Sequence, residues 1–95
     1  MTLKQITNTA ATNLTTINQS IAFQTANIAS VHASNEAGLD LYIENAAGVK
    51  FYTLKSVKIP VGVTLVIGKE QLAFNWREYK LVAKLSAGSV DIKLA

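Results

Sequence analysis

The chain has no cysteine, one histidine, one proline and one arginine among its 95 residues, and only 16% of those residues are charged. Without cysteine there is no disulfide, no thiolate nucleophile and no cysteine-ligated zinc, although the redox compartment stays undetermined. The purely apolar runs are a few residues long, which excludes a helical membrane span of roughly 20 residues. Met1 to Ile21 holds one lysine and no continuous apolar stretch, so no secretory leader is expected and the chain should stay where it is made until something larger carries it. The five glycines form neither GxGxxG nor GxxxxGK, which removes a phosphate cradle. What the chain does have is apolar content. At 49% hydrophobic residues and a mean hydropathy of +0.25 it is the reverse of a disordered composition, and its length allows one core.

From Asp40 onward the pattern has a period of two, the mark of strands with one buried and one wet face. Leu39, Leu41 and Ile43 alternate with Asp40, Tyr42 and Glu44, and Asn45-Ala46-Ala47-Gly48 supplies a turn. Val49, Phe51 and Thr53 then alternate with Lys50, Tyr52 and Leu54, completing a hairpin. A strand through Val57 and Ile59 ends at Pro60, which cannot donate to a ladder. Val63, Leu65 and Ile67 form another inward row closed by Gly68-Lys69-Glu70. Leu81, Ala83 and Leu85 alternate with Lys80, Val82 and Lys84, and after Ala87-Gly88 the row Val90, Ile92, Leu94 faces inward against Asp91 and Lys93. The expected core is Leu41, Ile43, Phe51, Val57, Ile59, Leu65, Ile67, Leu81, Leu85, Val90 and Ile92. Short strands at this spacing predict an all-β fold: a single small β-sandwich or jelly-roll-like domain of about seven or eight strands.

The first third reads differently. Leu3, Ile6, Ala10, Leu14, Ile17 and Ile21 recur at helical intervals. The intervening threonines and asparagines oppose a helix, because they lose rotamer freedom or compete for backbone hydrogen bonds. We therefore expect residues 1–13 to form an extended N-terminal arm and residues 14–95 the sandwich, with strands through Leu14 to Ile17 and Ala26 to Ser34.

Catalytic inventory is poor. His32 is the only imidazole, and its expected role is that of a half-buried strand histidine satisfied by a neighbour. Glu36, Asp40 and Glu44 lie on one face of a strand and read as a solvated acidic stripe, not a carboxylate pair held across a cleft. No enzyme, cofactor or metal is expected. Charge is unevenly spread: Lys4 against three acids gives residues 1–49 a net of −2, and residues 50–95 carry +5. Those lysines are strewn along strands without interleaved arginines and stacking aromatics, so no nucleic acid partner is expected. They suit an acidic neighbouring surface instead, and Lys50, Lys55, Lys58 and Lys84 are the candidate contacts. Trp76-Arg77-Glu78-Tyr79 places two aromatics and the only arginine at one elbow, residue types enriched at contact hot spots. Trp76, Arg77 and Tyr79, with Tyr52 beside Lys50, complete the candidate set. The competing reading has Trp76 capping the core.

Thr15-Thr16-Ile17, the stretch Ser30-Val31-His32-Ala33-Ser34-Asn35 with Gly38, the run from Tyr52 through Ile59-Pro60-Val61-Gly62 to Leu65, and Ala87-Gly88-Ser89-Val90-Asp91 together resemble small β-sandwich structural proteins of tailed-phage virions. The resemblance covers roughly residues 14 to 95. It departs at Phe23-Gln24-Thr25, where such chains often turn through Pro-Ala-Gly, and at Asn75-Trp76-Arg77-Glu78, where an acidic-glycine turn is common. It implies a non-enzymatic virion component made in the host cytoplasm: a capsid decoration or cement subunit, or alternatively a neck or tail component. Other virion proteins, such as a major capsid protein, and further copies of the chain in a homo-oligomer or multi-copy assembly are the implied partners, with no membrane. A carbohydrate-binding sandwich using Trp76, Tyr79 and Tyr52 is the reading from a different class.

Overall fold

The period-two pattern folds into strands throughout. The computed structural model describes residues 2–95, which form β1 (Thr2–Ile6), β2 (Thr12–Asn13), β3 (Ala26–Ser30), β4 (Ala37–Asn45), β5 (Lys50–Ile59), β6 (Thr64–Ile67), a one-turn helix α1 (Lys69–Leu72), β7 (Tyr79–Ala87) and β8 (Val90–Leu94). Two antiparallel four-stranded sheets result: sheet A in the order β1-β8-β3-β6 and sheet B in the order β2-β7-β4-β5. Their inner faces meet in one core, to which sheet A gives Ile28, Val90, Ile92 and Leu94, and sheet B gives Leu39, Leu41, Ile59, Leu81 and Leu85. The chain is all-β, in the arrangement of a small β-sandwich.

Residues 2–6 and 12–13 are strands with a bend at residues 8–10 between them, and they do not lie outside the domain. β1 pairs along its whole length with β8, β2 pairs with β7, and Ile6 is buried in the core. An apolar residue at position 6 with a complete partner strand makes the segment an edge of the sandwich, so the boundary expected at residue 14 disappears. The strand expected over Leu14 to Ile17 is displaced to Thr12–Asn13. Thr15 explains why it stops: its buried hydroxyl accepts the Leu81 N–H at 2.9 Å, replacing the backbone carbonyl that a continuing ladder would use. β3 ends four residues before the expected Ser34. There the His32 imidazole turns back on its own loop, with Nδ1 accepting the N–H groups of Ser34 (3.1 Å) and Asn35 (2.9 Å).

Seven of the expected core residues, Leu41, Ile59, Ile67, Leu81, Leu85, Val90 and Ile92, are buried, and Ile43, Val57 and Leu65 are half-buried. Phe51 is the correction: it is 55% exposed. It shares the inner phase with its partner Ile43, but β5 is the edge strand, and there the ring meets only the edge of Tyr79 at 6.0 Å. Leu54, expected outward, packs against the core. Register is the cause. Leu39 faces Val57 while Leu41 faces Leu54, so β5 carries an extra residue between them, and a second shift follows before Tyr42 faces Tyr52.

The first bulge is held by Asp40, whose Oδ1 accepts the Ser56 N–H at 2.7 Å while Oδ2 lies 3.7 Å from Lys55 Nζ. Ser56 adopts φ +53°, a left-handed conformation that disfavours a side chain. Ser56→Gly relieves that cost and loses some of the gain to greater unfolded-chain freedom, so we expect stability to rise by up to about 1 kcal/mol in a denaturant titration. A loss of stability would show that the serine side chain itself supports the bulge.

Candidate contact face

Alternation on β4 sends Asp40, Tyr42 and Glu44 to the outer face of sheet B, and the register fixes their neighbours. Asp40 lies between Lys84 on β7 and the Lys55-Ser56 bulge on β5. Tyr42 lies between Val82 and Tyr52. Glu44 lies between Lys80 and Lys50. An apolar and aromatic row is thus flanked by two charged rows, each with a carboxylate on the central strand and lysines on both sides. Lys58 extends the β5 column to the end of the strand.

The rows are tied by weak contacts. The Tyr42 and Tyr52 rings lie 5.1 Å apart at 51°, Lys50 Nζ stands 5.1 Å from the Tyr42 centroid, and Lys55 Nζ stands 4.5 Å from the Tyr52 centroid. Exposed cation–π contacts of this kind contribute about 0.5–1 kcal/mol. Lys55 pairs with Asp40, Lys58 with Glu36 (3.6 Å) and Lys80 with Glu44 (3.7 Å), so every acid of the stripe that reads as solvated in the sequence faces a lysine. Such pairs add roughly 0–1 kcal/mol each and mainly fix where charge sits. Tyr42 and Val82 carry the outward phase yet are buried, Tyr42 beneath the Tyr52 ring and the Lys50 side chain. That burial pushes the Tyr42 phenol above its ordinary value, with Lys50 acting in the opposite direction. Tyr52, 44% exposed, is the aromatic surface left for a partner.

The sequence-expected residues therefore divide. Lys50, Tyr52, Lys55, Lys58 and Lys84 share this face. Trp76, Arg77 and Tyr79 do not enter its rows: they occupy the turn before β7, built by Asn75, whose carbonyl accepts the Glu78 and Tyr79 N–H groups and whose Oδ1 accepts that of Arg77. Trp76 is half-buried, its carbonyl takes the Asn18 N–H at 2.8 Å, and Arg77 stacks 5.0 Å over its ring. Tyr79 lies in the inner phase opposite Asn45, whereas Tyr52 points outward. The three rings do not form the common platform a sugar would need. Asp40, Tyr42, Glu44 and Lys80 are the members of the face that reading single strands left out as contacts, because their place depends on cross-strand register.

Among the described residues, no group of three or more His, Cys, Asp or Glu side chains is placed to hold a metal ion. A cleft of about 540 Å³ runs between Ile21–Gln24 and α1, and Lys69 and Glu70 are its only charged lining residues. Comparison with known protein families, with curated proteins and with solved structures finds no match to the chain.

Proposed function

We propose that this chain is a non-enzymatic structural protein of a phage virion, a capsid decoration subunit that attaches to other virion proteins through the outer face of sheet B. The observation that carries the reading is topological. The orders β1-β8-β3-β6 and β2-β7-β4-β5 support a jelly roll, two four-stranded antiparallel sheets wound from eight strands, an architecture that recurs in viral capsid domains. Because fold alone assigns no task, the face must carry the rest. It offers an exposed tyrosine and a surplus of lysines over carboxylates, which suits an acidic protein surface. The resemblance motifs agree with this reading at their turns: Gly62 and Gly88 both take the positive φ that those turns require.

The test is add-back of purified chain to virions assembled without it, with copies per particle counted by quantitative mass spectrometry. A decoration subunit is expected in numbers that scale with the capsid lattice, whereas one ring's worth of copies would move it to the neck or tail. Tyr52→Ala should weaken binding by about 2 kcal/mol, roughly thirtyfold, and Lys50→Ala or Lys84→Ala by about 0–1 kcal/mol each, with salt reducing the lysine effect. If Tyr52→Ala binds normally and Trp76→Ala does not, the contact lies at the elbow.

A further inference from the structure

Each sheet of an open sandwich ends in strands with unpaired backbone groups, and natural sequences protect such edges with charge, bulges or brevity. Three of the four edges here are protected. β1 turns Lys4 into the inner phase, β2 has two residues, and β5 carries two register shifts with Lys50, Lys55 and Lys58. β6 is the exception. No charged residue lies between Lys58 and Lys69, and Val61 (45% exposed), Val63 (45%) and Val66 (61%) sit along that edge in the open.

The hydrogen-bond phase identifies what fits there. Ser30 N–H donates to the Val63 carbonyl, and in the same ladder Ile28 faces Leu65 and Ala26 faces Ile67. Odd-numbered residues of β6 therefore bond to β3, and Thr64 and Val66 turn their N–H and C=O groups outward. Gly68, in extended conformation (φ −82°, ψ 173°), continues the same phase. We propose that β6 pairs antiparallel with β6 of a second copy, about a two-fold axis through Val66, joining two A sheets into one of eight strands. In that register Val66 meets Val66, with both backbones presenting bonding groups. Thr64 meets Gly68, and the ladder ends there because Lys69 opens α1, so no charged residue enters it. The pairing is isologous and closes at two. It rests on the edge alone and is independent of the virion reading.

Five paired residues from each copy bury far less than the roughly 800 Å² per partner of a stable complex, so the pair belongs to high local concentration. Sedimentation of the full chain from roughly micromolar to millimolar concentration, with amide exchange, tests this. The expected result is a monomer–dimer equilibrium in which protection of the Thr64 and Val66 amides grows with the dimer fraction. Val66→Lys sets two ammonium groups together on the axis and should raise the dissociation constant at least tenfold, while Leu3→Lys, at an equally exposed site on the opposite edge, should not change it. Gly68→Pro suits the observed φ, removes one N–H without adding charge, and should also weaken the dimer. A chain that stays monomeric throughout, one that assembles beyond dimers, or a dimer that Leu3→Lys weakens and Val66→Lys does not, overturns the assignment.

Discussion

Leu41→Ala should destabilise the chain by about 2–5 kcal/mol, from lost transfer energy and the cavity left behind. Leu41 is 1% exposed on a strand flanked by β5 and β7, where it lies in one inner row with Ala83 and Leu54. Ala83 has no spare volume to move into the gap, and Leu54 is fixed by the register shifts on either side of it. Collapse is therefore restricted, and the cost should fall in the upper part of the range. A small domain has about 5–15 kcal/mol in total, so a large share of its stability would go. The comparison variant is Phe51→Ala, a larger truncation in the same inner phase of β5. At 55% exposure it should cost about 1 kcal/mol or less. Urea titration should show the two midpoints far apart with similar slopes. Equal losses would mean that β5 is placed in the wrong register.

That contrast marks where the sequence stops being legible. Period two alone places Leu41, Leu81, Leu85, Val90 and Ile92 inside, because β4 and β8 keep their alternation there and the one added residue of β7 falls beyond Leu85. It fails on β5, where two added residues change which side chains face in, and nothing in Leu54-Lys55-Ser56-Val57 announces a bulge that depends on a carboxylate of the neighbouring strand. The contact face was half legible for a related reason. Outward lysines and Tyr52 can be read on their own strands, but the pairing of Asp40 with Lys55 and of Glu44 with Lys80 is a property of strand order. The elbow shows the opposite limit. Trp76 and Arg77 are compositionally conspicuous, yet the turn is organised by Asn75 and the stack is internal to it. In the first third, helical spacing of apolar residues competed with unfavourable composition, and composition prevailed: among the described residues no helix forms before α1.

Gly88→Ala should be comparably damaging, by a mechanism involving no cavity. Gly88 turns the chain from β7 in sheet B to β8 in sheet A with φ +75°. A side chain in that conformation costs about 1–2 kcal/mol by itself. A Cβ would also stand 2.7 Å from the Glu36 carbonyl oxygen and 2.9 Å from Ala37 Cα, both backbone atoms at the entry to β4. Backbone there cannot rotate aside, because Ala37 is buried and paired with Ile59. Overpacking of this kind adds roughly 1–3 kcal/mol, for a total of about 2–5 kcal/mol. Two other glycines separate the contributions. Gly48 has φ +83° with nothing within 4 Å of its Cβ position, so Gly48→Ala should show the conformational cost alone. Gly38 has no positive φ, and its Cβ would press mainly on the Ser86 hydroxyl, which can rotate, so Gly38→Ala should cost least. Thermal unfolding of the three variants should rank Gly88 worst, then Gly48, then Gly38. Equal losses at Gly88 and Gly48 would show that the β7–β8 turn can move away from β4, and that the two sheets are not locked together at this end of the sandwich.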